Sequence, residues 1–139
     1  MNSDGMHCIS YSPNRQHKVE LIFQGEIRFG PCYYAIKIDE KLLKNRTFGS
    51  YAYWSNDSRF FAAQEWLSTD YNRGPVTRVL FFDLEKDRYA HLKILEGGFV
   101  GNFKIEDNLF IYTRETKGIR KEMEISIESI DTWISIDSI

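Results

Sequence analysis

Across residues 18–24 the apolar Val19, Leu21 and Phe23 alternate with Lys18, Glu20 and Gln24, and only Ile22 breaks the polar side. A period of two is that of a strand with one buried face, and Gly25 marks the turn that ends it. After Gly30-Pro31 the residues Cys32, Tyr34, Ile36 and Ile38 alternate with Tyr33, Ala35, Lys37 and Asp39, so a second strand returns beside the first as a hairpin. Residues 39–45 carry Leu42 and Leu43 among charges and read equally as a helical turn, a loop or a further strand. Between Arg59 and Leu67 both parities are apolar: Phe60, Ala62 and Trp66 on one, Phe61, Ala63 and Leu67 on the other. That predicts a strand covered on both faces, and Val76 to Leu84, centred on Val79-Leu80-Phe81-Phe82, predicts a second one beside it. The intervening Ser68-Thr69-Asp70-Tyr71-Asn72-Arg73-Gly74-Pro75 is dense in turn-forming residues and predicts a long loop. A turn at 83–87, a strand over 88–95, a break at Gly97-Gly98 and strands over 99–105 and 109–114 follow. From Ile119 onward, Ile119, Met123, Ile127, Ile130 and Ile134 fit a helical stripe, while Ile119, Lys121, Met123, Ile125 and Ile127 fit a strand. Repeated isoleucine with serine favours the strand, because β-branched side chains lose rotamer freedom in a helix and serine competes for its backbone.

The strands are organised into units. A short aromatic stretch, a polar turn and then strand-like text begin at Tyr11-Ser12-Pro13-Asn14, at Tyr53-Trp54-Ser55-Asn56-Asp57-Ser58-Arg59 and at Phe103-Lys104-Ile105-Glu106-Asp107-Asn108. The second unit resembles a blade of a β-propeller of the WD-repeat kind. Trp54-Ser55-Asn56-Asp57-Ser58-Arg59 is similar to the W-S-x-D-x-R opening of such a blade, and Phe81-Phe82-Asp83-Leu84 to the hydrophobic-D-L end of an inner strand. Ser12 and Ser55 stand 43 residues apart, a spacing such repeats show. The Gly-His and Trp-Asp dipeptides of the WD family are absent. Propellers close with about four to eight four-stranded blades, and this length supplies about three. The resemblance therefore implies an all-β fold of antiparallel, blade-like sheets, packed as a β-sandwich or a partial propeller in a single domain. An open ring would leave edges and faces bare, so the sheets fold on one another or meet another chain. A sandwich with one core, filled by Phe60, Phe61, Trp66, Phe81, Phe82 and Phe103, is the expected outcome.

Composition narrows the function classes. At 139 residues the chain fits one domain that buries a core without staples. Its 42% hydrophobic and 15% aromatic content is too apolar for a disordered chain. With a net charge of −2 and no basic run, it lacks the electrostatic footprint of a protein that grips a phosphate backbone, so no direct nucleic-acid partner is expected. Cys8 and Cys32 are too few for a disulfide framework or a four-thiolate site and read as buried thiols. Neither a leader-like N-terminus nor an apolar run of about 18 residues is present, so no membrane association and a cytoplasmic location are expected.

The chemistry-bearing residues form no recognisable motif. His7, His17 and His91 are not spaced as metal ligands, and His91 shares a strand face with Tyr89 and Lys93, a solvated outer position. No nucleophile elbow surrounds Ser10, Ser12 or Ser55, the glycines make no phosphate-binding pattern, and Asp57, Asp83, Asp87 and Asp107 stand in turns, where a carboxylate caps backbone N–H groups. Catalytic, cofactor and metal residues are accordingly not assigned. What remains is asymmetric charge: from Ile119 onward Arg120 and Lys121 face Glu122, Glu124, Glu128, Asp131 and Asp137. On a strand, Glu122, Glu124 and Glu128 form an acidic stripe opposite Met123, Ile125 and Ile127, a surface suited to a basic protein. The loop after Trp66, with Tyr71 and Arg73, carries residue types that dominate binding hot spots. A non-catalytic protein-binding module is the first expectation. In profile it is similar to small bacterial immunity proteins, which bind and neutralise a cognate toxin such as a basic nuclease. A partial propeller that self-associates is the second expectation, and a hydrolase using His91 with a turn aspartate the third.

Overall fold

The computed structural model describes residues 7–27 and 30–139. Its strands are β1 His7–Tyr11, β2 Lys18–Glu26, β3 Cys32–Ile38, β4 Lys41–Leu42, β5 Thr47–Trp54, β6 Phe60–Ser68, β7 Val76–Asp83, β8 Arg88–His91, β9 Leu95–Glu96, β10 Gly98–Glu106, β11 Leu109–Thr116, β12 Ile119–Ser126 and β13 Ile134–Ser135. They make two antiparallel sheets. The first runs β1-β2-β3-β5-β6-β7-β8-β13, with β4 on β3 and β9 on β7; the second is β10-β11-β12. The short β4 fills the segment that the sequence left open, and β5, which the sequence showed only as an aromatic stretch, is a full strand.

The first sheet folds across its own face. Its β3 and β5 meet only at Tyr34–Phe48, so β1–β4 and β5–β8 behave as two runs hinged there. Val19, Ile36, Ile38 and Leu43 of the first run pack on Phe48, Phe61, Ala63, Leu80 and Phe82 of the second. The opposite face of β6 and β7, bearing Phe60, Ala62, Val79 and Phe81, packs on Val100, Phe103, Phe110 and Tyr112 of the second sheet. This is why β6 and β7 are apolar on both parities: they form the middle layer. The aromatics thus divide between two cores instead of filling one, with Phe61 and Phe82 in the first and Phe60, Phe81 and Phe103 in the second.

The repeat seen in the sequence is a repeat of hydrogen bonds. In the β1–β2 turn Ser12 Oγ donates to Asn14 Oδ1, His17 N donates to Ser12 Oγ and Gln16 N donates to Asn14 Oδ1. In the β5–β6 turn, 43 residues on, Ser55 Oγ donates to Asp57 Oδ1, Phe60 N to Ser55 Oγ and Arg59 N to Asp57 Oδ1. Arg15 and Ser58 take the same left-handed conformation, at φ 61° and 65°. The two turns touch, Asn14 N donating to Ser58 Oγ over 2.9 Å. The third start, between β10 and β11, is a tighter turn with Asp107 at φ 55° and lacks the Ser/Asx pair.

Two expectations need correction. Cys8 is exposed and Cys32 half-buried, because β1 lies at the edge of its sheet and the core does not extend over either thiol. The strand reading from Ile119 holds to Ser126 and again in the short β13; residues 127–129 and 136–138 are short 3-10 turns. Beyond β12 the chain straps the end of the molecule, Ile127, Ile130 and Trp133 packing on the second core and Ile134, Ile136 and Ile139 on the first. Among the described residues no helix is long and apolar enough to cross a membrane.

Candidate functional site

The second sheet turns one face to the core; the other is partly covered, with Ile111 4% exposed and Tyr51 of β5 against Gly101, and meets water toward β12. Phe110, Tyr112, Met123 and Ile125 point inward, so alternation sends Ile111, Thr113 and Glu115 of β11 and Arg120, Glu122 and Glu124 of β12 outward. On β10, Phe99, Lys104 and Glu106 lie opposite Glu115, Ile111 and Leu109 and join that outer face. Glu115 accepts from Arg120 Nη2 at 3.4 Å, and Lys104 Nζ lies 3.8 Å from Glu106. Glu122 and Glu124 differ. Their cross-strand neighbours are Thr113 and Ile111; isoleucine offers no charge, and the Thr113 hydroxyl already donates to Gly101 O and accepts from Asn102 Nδ2. Both carboxylates are exposed and make no ion pair with a described residue. Glu128 is not part of this row: the 3-10 turn carries it round to the β10–β11 hairpin, where it accepts from Asn108 Nδ2 at 3.3 Å.

The loop residues separate in the same way. Trp66 is only 6% exposed. Its Nε1 donates to Gln64 Oε1, Gln64 Nε2 donates in turn to Val100 O, and its ring stands edge-on to Phe99 at 5.4 Å. Trp66 is therefore cement between the sheets. The close packing explains Gly49 on β5, where a Cβ would lie 1.8 Å from Gln64 Oε1. Tyr71 is 57% exposed, and Arg73 pairs with Glu96 at 3.2 Å on the surface. Phe99 connects the loop to the acidic strand. It lines an apolar hollow of about 190 Å³ with Tyr71, Pro75 and Trp66, and a more polar one of about 290 Å³ with Trp66, Thr113, Glu115 and Arg120. The structure thus brings Tyr71, Phe99 and the Glu122–Glu124 row to one side of the molecule. Phe99 and Glu115 were missed in the sequence; the β11–β12 register, closed by Gly118 at φ 79°, is what brings Glu115 opposite Arg120.

Other charge clusters are knitted into the frame. Glu65, 2% exposed, accepts from Arg46 Nη1 and Arg78 Nε at 2.7 Å each. Asp83, fully buried, accepts from Arg59 and from Arg88, all at 3.0–3.1 Å. It also caps its turn as expected, accepting from Lys86 N at 3.4 Å. His91 departs from expectation: it is half-buried on the first core's face, edge-on to Tyr89 at 5.5 Å, with Nε2 3.2 Å from Arg46 Nη2. Its lone pair faces a guanidinium donor, which makes it a poor base. Burial, then Arg78 and Arg46, push its pKa below the usual histidine value, Glu65 opposing. A depressed histidine contributes stability that is full above the unfolded pKa of about 6.5 and is lost as pH falls through the folded value. His91→Gln is expected to flatten the fall in stability between about pH 6.5 and 5, measured as denaturation midpoints at both ends; an unchanged slope would show that His91 does not set it.

No protein-family model, no curated protein and no solved structure matches this chain.

Proposed function

We propose that this chain is a non-catalytic protein-binding module and that the outer face of β10–β11–β12 docks a basic partner. The observation that supports the reading is the pair Glu122 and Glu124, exposed two residues apart on an edge strand with no cation within ion-pair distance among the described residues. Like charges on one strand face repel each other, whereas the flanking Glu106 and Glu115 are answered by Lys104 and Arg120. A cationic surface laid over this face relieves that repulsion and is steered toward it during encounter. Phe99, 37% exposed, and Tyr71 supply apolar anchors at the rim. The most concrete form of the proposal is toxin neutralisation of the immunity type, with a basic toxin as the partner.

The test is capture from native lysate with the wild-type chain, with Glu122→Lys/Glu124→Lys and with Glu128→Lys. A basic protein retained at one-to-one stoichiometry by wild type and by Glu128→Lys, and weakened at least tenfold by the double reversal, is expected. Equal retention by the double reversal would remove the surface from consideration. Co-expression that relieves growth inhibition by the captured protein would establish the toxin-neutralising form.

A further inference from the structure

We infer that the turn end of the β11–β12 hairpin binds a small amphiphilic anion, its carboxylate or phosphate head on Arg114 and Lys121 and its apolar body over Leu95 and Ile119. The inward row of these strands runs from Phe110 opposite Ile125 to Tyr112 opposite Met123, all four set in the second core. Alternation carries the row on to Arg114 opposite Lys121 and to Thr116 opposite Ile119, where the chain turns through Lys117 and Gly118. A position that continues the apolar stripe is therefore held by two cations.

Like charges directly opposite each other on one sheet face are destabilising unless an anion answers them. Arg114, Lys117 and Lys121 make no ion pair with a described residue. The hollow of about 450 Å³ that they line is completed by Leu95, Thr116 and Ile119, with no carboxylate among its walls. The guanidiniums of Arg46, Arg59, Arg78 and Arg88 show the contrast, each meeting Glu65 or Asp83. Arg114 Nε, by comparison, is buried and has no hydrogen-bond partner. Leaving such a donor unmade is costly, and Nε with its neighbouring Nη forms an edge that takes an oxyanion through two hydrogen bonds.

The remaining walls ask for hydrocarbon. Leu95, 6% exposed, belongs to the second core, and a Cβ on Gly98 would lie 2.9 Å from its Cδ2 and 3.1 Å from Thr116 Oγ1, so the floor is close-packed. Ile119 at the rim is 73% exposed, and the lysine stems add apolar surface beneath their heads. An inorganic anion would answer the cations and leave this surface wet; a neutral hydrocarbon would leave Arg114 unpartnered. A molecule with both parts satisfies both, and the hollow has the size of a small-molecule site, about 300–1,000 Å³. It lies on the opposite face of β12 from Glu122 and Glu124, so it stands or falls independently of the docking reading.

Calorimetric titration of the full chain with decanoate and with decyl phosphate, both below their micelle concentrations, tests the site, with decanol and acetate as controls. One site per chain is expected for at least one of the two amphiphiles, bound at least tenfold more tightly than either control. Arg114→Met should weaken it at least tenfold and Lys121→Gln in the same direction, while Lys104→Gln, on the other face, leaves it unchanged. Methionine replaces the unpartnered donor with an apolar chain, so without ligand this variant should melt no lower than wild type, which separates lost binding from lost fold. The Arg114 Nε–H resonance should also move on saturation of the wild-type chain. Decanol or acetate binding as tightly as the amphiphiles, no binding, or indifference to Arg114→Met would each overturn the inference. So would sedimentation with anionic phospholipid vesicles without binding of either free amphiphile, which would assign the cations to a membrane surface instead.

Discussion

Asp83→Ala is expected to lower stability by about 2–4 kcal/mol, somewhat less than the roughly 3–5 kcal/mol for breaking a fully buried ion pair. The reason is position. Asp83 ends β7 opposite Phe60, where β6 begins, and opposite Arg88, where β8 begins. Its two oxygens accept from Arg59 and Arg88 and so tie three neighbouring strands at one end. Removing it leaves two guanidiniums facing each other across a hole. Because about a third of each arginine side chain still meets water, the penalty falls short of that for a fully buried charge. Arg88 also lies over the Trp133 ring at 4.2 Å, so the C-terminal strap should loosen with it. Burial raises the Asp83 pKa, but the hydrogen bonds and charges of Arg59 and Arg88 outweigh it and hold the carboxyl below its ordinary range. A depressed carboxylate stabilises above the unfolded pKa of about 4 and ceases to as pH falls through the folded value. The variant should therefore lose part of the acid sensitivity of the wild type. Urea titration at fixed protein concentration, at pH 7 and pH 4, reads both effects; a change below about 0.5 kcal/mol at pH 7 would show that the arginines are served by water instead.

The sequence made the strands legible wherever one face met a core and the other met water, as in Val19, Leu21 and Phe23 of β2. It also made β6 and β7 legible, since only a middle layer is apolar on both parities. The turn repeat was readable because Ser12 and Ser55 act through local hydrogen bonds that depend on neighbours two to five residues away. Long-range packing was not readable. Nothing in the spacing of Phe60, Phe61, Phe81 and Phe82 says that Phe60 and Phe81 enter one core and Phe61 and Phe82 another; that requires knowing which layers flank them. The acidic pair Glu122 and Glu124 was legible from alternation, but Glu128 was misplaced because the strand ends at Ser126, within a run of alternating isoleucines that signals no stop. Trp66 illustrates the other failure. Its residue type suggested a hot spot, whereas Gln64, two residues earlier on the same face, offers the acceptor that lets an indole be buried.

Phe81→Ala is expected to cost about 3–5 kcal/mol, the range for deleting a fully buried aromatic side chain. Its ring meets Phe60 at 5.3 Å, Phe110 at 4.8 Å and Trp133 at 6.2 Å, so one side chain joins the middle layer, the second sheet and the C-terminal strap. The neighbouring Phe82, on the opposite parity, touches Phe61 and Tyr89 in the other core. The two positions therefore separate the two interfaces of the stack. After Phe81→Ala, amide exchange should accelerate first in β10–β12 and in the strap, with β2 and β3 protected longer; after Phe82→Ala the order should reverse. Phe81→Leu, which keeps more of the volume, should recover part of the loss. Uniform acceleration in both variants would mean that the layers unfold as one cooperative body. The selective result would have a consequence for the proposed docking face: Glu122 and Glu124 are held in place by a sheet whose attachment depends on Phe81, so affinity for the proposed partner should fall in Phe81→Ala before the remainder of the fold is lost.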